Sequence, residues 1–215
     1  MPRPKSSGLP KVEEEHLRLT QLLDAATEVF FEMGYEAAST AEIAARAHSS
    51  KRALYSRFAS KEELFMAVID YRTAKIADRV TALFQDERPI REVLMDVGRE
   101  LLRSLLSKEH TTLMRLVYTQ AVQFPKAAQF MTERGPDRGI SKLAAHLKKQ
   151  GAGGTLAIPD YQLAAQHFAG LLVGDSVHRA MLGQEVPSSQ KQLESRAEAA
   201  VSAFLAIYGR PQQAH

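Results

Sequence analysis

From Leu17 to Met33 the apolar positions Leu19, Leu22, Leu23, Ala26, Val29, Phe30 and Met33 step by three and four, the period of one face of an α-helix. Gly34 follows at the position where a left-handed residue commonly ends a helix. Ser39 and Glu42 stand three apart ahead of Ile43 and Ala44, a capping-box pattern that predicts a short second helix stopping near Ala47. Ser50 is the expected cap of a third, running to about Phe58. Ser60 and Glu63 open a long fourth through Leu64, Phe65, Val68 and Ile69. Short helix, tight turn, short helix is a helix-turn-helix arrangement, although a plain three-helix bundle without a ligand has the same spacing.

The helical period continues to the end of the chain. Pro89 is placed in the first turn of a fifth helix carrying Val93, Leu94, Val97, Leu101, Leu102 and Leu105. A sixth is predicted from about Thr112 to Gln123, stopped by Pro125. "ERGPDRG" reads as a loop, a seventh helix runs to Gln150, and "GAGG" breaks it. The last two span about Asp160 to Leu182 and Ser188 to Tyr208. Nothing alternates in the manner of a strand, so the pattern predicts an all-α protein of about nine helices.

Composition sharpens this at one place. Of 215 residues 45% are hydrophobic, enough for a real core, and the net charge is only +3. Yet residues 46 to 61 hold Arg46, Lys51, Arg52, Arg57 and Lys61 with no Asp or Glu, and a concentrated cationic patch attracts phosphate. In "SSKRALYSRF", Ser49 to Phe58, the side chains of Lys51, Arg52, Tyr55 and Ser56 fall on or near one side of the third helix. Leu54 and Phe58 fall on the other. Arginine bonds two acceptors on guanine in the major groove, and tyrosine and lysine bond phosphate oxygens. Thr40 at the start of the second helix and Lys61 at the start of the fourth can meet further phosphates. The DNA-binding candidates are therefore Thr40, Ser50, Lys51, Arg52, Ala53, Tyr55, Ser56, Arg57 and Lys61. Each has a plainer role open to it: Tyr55 packing with its hydroxyl in water, Lys61 as a surface lysine, Arg57 paired with Glu63 or Glu36.

The absence of cysteine excludes disulfides and thiolate chemistry. No apolar run approaches a membrane span, and no signal-type segment follows the basic N-terminus, so a soluble cytoplasmic protein is expected. An enzyme finds little support. "GAGG" lacks the Lys-Ser/Thr of a phosphate loop, no G-x-S-x-G or H-E-x-x-H occurs, and Asp175 with His178 lacks a third metal ligand. No metal or cofactor is expected. A helical protein-interaction module, or a DNA-binding module that needs no ligand, remains the alternative.

"LLDAATEVFFEMGYEAASTAEIAARAHSSKRALYSRFASKEELFMAVI", Leu22 to Ile69, resembles the DNA-binding domain of TetR/AcrR-family transcriptional regulators. It departs from the family pattern at the turn, where His48, Ser49 and Ser50 replace the usual Gly-Val-Ser, and at Arg52-Ala53, where Gly-Thr is common. "LLRSLLSKEHTTLMRLVYTQAVQFPKAAQFM", Leu101 to Met131, is similar to the C-terminal domain of AefR-like members. Residues 1–14, rich in Pro, Ser and Lys, read as a flexible basic arm, and the resemblance implies a helix-turn-helix domain at 15–60 and a helical ligand-sensing and dimerisation domain at 61–215. It also implies a repressor, bound as a homodimer to a near-palindromic DNA operator and released by a small effector.

Two further sets of residues follow from helical stripes. Leu163, His167, Gly170, Gly174, Val177 and Met181 form a stripe on the eighth helix, where the glycines suggest close approach of a partner. Leu193, Ala197, Ala200, Phe204 and Tyr208 form one on the ninth. Both are dimer-interface candidates, and either can instead face the subunit's own core. Met95, Arg99, Leu102, Met114, Tyr118, Phe124, Phe130, His146, His167, Phe168 and Leu172 are candidates to line an effector pocket, with Arg99, Arg115 or a histidine orienting a polar group. Such a supply of side chains favours an apolar or aromatic ligand.

Overall fold

The computed structural model describes residues 11–85, 88–151 and 153–210, and everything below refers to these. They are helical, with no strand beyond a single bridge between Leu156 and Gly209. Among them no helix is long and apolar enough to cross a membrane. The chain packs as two compact units, one ending at Tyr71 and the other beginning at Arg72.

The first unit holds α1 (Lys11–Ala37), α2 (Thr40–Arg46), α3 (Lys51–Tyr55) and the opening turns of α4 (Lys61–Ala82). Gly34 interrupts α1 with φ 76°, where the sequence placed its end. Residues 1–10 of the expected arm lie outside the described residues, and Lys11–Glu14 belong to α1. The core is aromatic and aliphatic. Phe30 meets Phe65 edge to face at 5.1 Å, Tyr35 lies 5.0 Å from Phe65, and Leu54 from α3 is fully buried beneath them with Ile43. Because Leu64, Phe65, Val68 and Ile69 of α4 are all fully buried, the division between units falls inside α4 and later than the boundary at 60/61 read from the sequence.

The second unit contains the rest of α4, a 3-10 turn at Leu83–Gln85, α5 (Ile90–Leu105), α6 (Lys108–Gln120), α7 (Pro125–Thr132) and α8 (Arg138–Gly151). It continues with α9 (Tyr161–Val173), α10 (Ser176–Met181) and α11 (Gln190–Tyr208). Three details differ from the sequence reading. Pro125 starts a helix instead of only stopping one, since a first-turn residue has no intrahelical partner for its N–H. "ERGPDRG" is not a loop: Glu133–Asp137 form a π-helical turn joining α7 to α8, and Pro136, with no N–H to give, widens the helix there without ending it. The helix expected over 160–182 breaks at Gly174, whose φ of 50° and ψ of −127° suit only glycine.

The core of this unit lies between α5, α8, α9 and α11. Phe168 and Phe204 meet edge to face at 5.5 Å. A Cβ on Gly98 of α5 would meet Leu172 Cδ1 at 3.2 Å and Ala197 Cβ at 3.3 Å, so the glycine sets how closely α5 approaches its neighbours. Two arginines close helix ends. Arg196 donates to the carbonyls of Leu172 and Val173 at 2.7 and 2.8 Å, and Arg115 to those of Met181 and Ala180, both at 2.7 Å.

Candidate functional site: a nucleic-acid interface and a cavity

α3 is only five residues long, too short to be stable alone, so its ends and its buried face hold it. Ser50 Oγ accepts from the Ala53 N–H at 3.0 Å, and Leu54 anchors the inner side. The turn before it runs through His48 at φ 48°, in the left-handed region that glycine adopts most readily. Ser39 caps α2 through the Glu42 N–H at 3.1 Å. Glu42 turns to Arg46 instead of completing the box. Ser60 accepts from the Glu63 N–H at 3.1 Å, and Glu63 returns to the N–H of Ala59, one residue earlier than expected.

This scaffold leaves Ser50, Lys51, Arg52, Ala53, Tyr55, Ser56 and Arg57 on the exposed side. The five cations of the patch are not equivalent. Arg46 is ion-paired with Glu32 at 2.7 Å and Glu42 at 3.0 Å, which holds the Glu32 carboxyl below its ordinary range. Arg57 is paired at 3.0 Å with Glu15 of α1, not with Glu63 or Glu36. Lys61 donates to the Glu36 carbonyl at 3.0 Å and lies 4.6 Å above the Tyr35 ring. Burial, with Glu62 and Glu36 nearby, pushes the Tyr35 phenol up to about 12. Arg52 has no polar partner among the described residues, and Lys51 only rests 5.8 Å from the Tyr55 ring. Thr40 is buried, and its Oγ1 and the Tyr55 hydroxyl share a hydrogen bond of 3.0 Å, fixing a half-exposed tyrosine beside the two free cations. Ser56 is turned to the Ala53 carbonyl at 2.8 Å.

A second feature lies in the other unit, a cavity of about 460 Å³, within the range usual for small-molecule sites. Of the eleven pocket candidates it brings together Met114, Tyr118 and Phe168. The others stand apart from it. Leu102 and Leu172 are sealed in the core, and Met95 packs against it. Arg99 is paired with Asp96 and Glu194 on the surface, and Arg115 is spent on the end of α10. His146 is buried and stacked 4.8 Å from Phe84, and exposed His167 bonds the Tyr208 hydroxyl through Nδ1 at 2.6 Å. Phe124 precedes α7, and Phe130 lies on it under the Arg134 guanidinium. Sequence reading missed α4 and the π turn, which supply Thr73, Ile76, Val80, Gly135 and Pro136 to the walls. It also missed His110. The run of apolar positions on α4 was the available signal.

The dimer candidates divide too. Leu193, Ala197, Ala200, Phe204 and Tyr208 are buried in the chain's own core, so that stripe does not face a partner. On α9, Leu163 and Gly170 are exposed; Gly174 is the break itself, Val177 and Met181 lie past it on α10, and Val177 lines the cavity.

α3 is thus a capped, cationic helix on a three-helix scaffold, the arrangement of a helix-turn-helix, and a larger helical unit with a cavity follows it in the chain. The family model for bacterial regulatory proteins of the tetR family matches residues 22–68, and that for the AefR-like transcriptional repressor C-terminal domain matches residues 92–210. The chain belongs to the TetR family of transcriptional regulators, a family of DNA-binding proteins and not of enzymes. It is 27% identical to the HTH-type transcriptional regulator YvkB of Bacillus subtilis, over 81% of this chain and 90% of that protein. The crystal structure of a TetR-family regulator from Mesorhizobium loti is similar, with a TM-score of 0.85, 29% identity and coverage of 91% of this chain and 98% of that one. The flavonoid-responsive regulator FrrA is similar with a TM-score of 0.72 and 27% identity, over 93% of this chain and all of that one (100%).

Proposed function

We propose that the protein is a cytoplasmic repressor that binds a near-palindromic operator as a homodimer and leaves it when a small apolar or aromatic molecule enters the cavity of the second unit. The observation that carries the DNA-reading part is the pair of free cations, Lys51 and Arg52, on the outer side of a capped helix whose inner side is fixed by Leu54. In this reading α3 enters the major groove. Arg52 reads a guanine edge, Lys51, Tyr55 and Lys61 meet phosphates, and buried Thr40 holds the Tyr55 hydroxyl in place.

The dimer is supported by apolar side chains that the chain leaves in the open: Leu163 at 44% and Leu171 at 40% exposure on α9, and Ile207 at 60% on α11. Gly170, with nothing within 4 Å of a built Cβ, lies on the same side of α9 as Leu163. Two copies joined there present two reading helices to successive grooves, roughly 34–36 Å apart. A ligand that binds the non-reading arrangement better shifts the population away from DNA. Selection of bound sequences from a random DNA pool tests this. A two-fold-related pair of half-sites is expected, whereas a single asymmetric half-site removes the dimer, and no enrichment removes the whole reading.

A further inference from the structure

The walls of the cavity are apolar from every helix that contributes, among them Ile76 of α4, Leu101 of α5, Met114 of α6, Ile140 of α8 and Phe168 of α9. No Asp or Glu lines it. Lys142 does, but its ammonium already donates to Thr81 Oγ1 at 2.7 Å. His110, in the first turn of α6, is different. It lines the cavity, and its ring has no hydrogen-bond partner among the described residues.

We propose that the cavity selects an apolar molecule bearing one uncharged hydroxyl, and that His110 is the residue that selects it. This rests on the effector reading above and narrows it to a ligand class. A neutral imidazole carries one N–H and one acceptor nitrogen, and a hydroxyl, itself donor and acceptor, satisfies whichever nitrogen faces the cavity. Burial, reinforced by the charge of Arg72, lowers the His110 pKa to about 4, so the ring is neutral at pH 7. A neutral ring does not balance a carboxylate. An ammonium ion would enter a chamber with no acid in its lining and a cation, Arg72, acting on the His110 ring. A site whose buried polar group is left unpaired rejects the molecule that fails to pair it, by about tenfold for a single hydrogen bond.

The test is calorimetric titration of the full chain with 1-octanol, octyl methyl ether, octanoate and octylammonium. Octanol should bind best, with the two ions weaker by about tenfold or more. In His110→Leu the preference of octanol over its ether should shrink to within about twofold, and in His110→Gln, which keeps a donor and an acceptor, most of it should survive. Octanoate or octylammonium binding wild type more tightly than octanol overturns the inference. So does an alcohol preference that persists in His110→Leu, and so does the failure of all four to bind. If the expected order is found and a fluorescent operator duplex nevertheless stays bound, this inference stands and the effector reading falls.

Discussion

Replacing Gly174 by alanine should damage the second unit through two separable effects. The first is backbone strain. At φ 50° and ψ −127° an L-residue pays on the order of 1–3 kcal/mol, and asparagine does no better because its left-handed preference lies at positive ψ. The second is a collision. The new Cβ would sit 2.5 Å from Arg196 Nη2, the atom that donates to the Val173 carbonyl at 2.8 Å while Nε holds the Leu172 carbonyl at 2.7 Å. Moving the guanidinium uncaps the end of α9, at roughly 1.5 kcal/mol for one charge-assisted bond, discounted because Arg196 is partly solvated and water replaces some of it. The total is about 3 kcal/mol, which for a domain of this size lowers the melting temperature by roughly 6–12 °C. Thermal unfolding followed by far-ultraviolet circular dichroism reads it directly. A Gly174→Ala protein melting within about 1 °C of wild type would refute the account of why the helix breaks there.

Other outcomes follow from the same geometry. Arg52→Ala and Lys51→Ala should each reduce the slope of log affinity against log salt by about 0.9 if the side chain meets a phosphate, and Arg52→Ala should also relax base preference at one position of each half-site if it reads an edge; binding assays on operator and mismatched duplexes separate these. Gly170→Leu should leave the fold intact, since nothing lies within 4 Å, but dissociate the proposed dimer in sedimentation at micromolar concentration. Stability should fall as pH drops from about 6.5 to 4, because the unfolded state takes up a proton that folded His110, with its pKa lowered to about 4, refuses until the lower value; the loss is up to ~3 kcal/mol at pH 4 and should shrink in His110→Gln on denaturant titration. Ser50→Ala should weaken operator binding with little effect on global unfolding, because the cap it removes, about 1 kcal/mol, supports only the five residues of α3.

The DNA-reading unit was legible because its signals are local. Caps at Ser39, Ser50 and Ser60 and the breaker at Gly34 stand where neighbouring residues alone decide them, and the structure uses all four. The charges were legible in kind but not in pairing. Glu15 lies 42 positions from Arg57, and no spacing rule joins two helices across such a distance. The stripe on α11 showed that Leu193, Ala197 and Phe204 share a face, yet a period cannot say whether the neighbour on that face is the same chain or another; here it is α5 and α9. Pocket residues were hardest, since a cavity is defined by side chains from many helices at once, and the apolar period of α4 looks the same whether the helix abuts a wall or a void. The proline in the π turn misled for a physical reason: proline forbids one hydrogen bond, and a wider turn forgoes it without ending the helix.

The pairing of Arg46 and Arg57 with glutamates of the same unit has a cost and a return for a protein that must search a chromosome. Random duplex is held almost wholly by cations free to displace its counterions, and in the proposed reading the DNA-binding unit offers three such groups, Lys51, Arg52 and Lys61, in place of the five that the sequence encodes. Fewer copies are therefore sequestered on irrelevant DNA, and occupancy of the right site leans more heavily on base contacts than on charge. Severing those internal ion pairs, for example with Glu15→Gln, Glu32→Gln and Glu42→Gln together, would make a stickier and less discriminating regulator out of the same recognition helix.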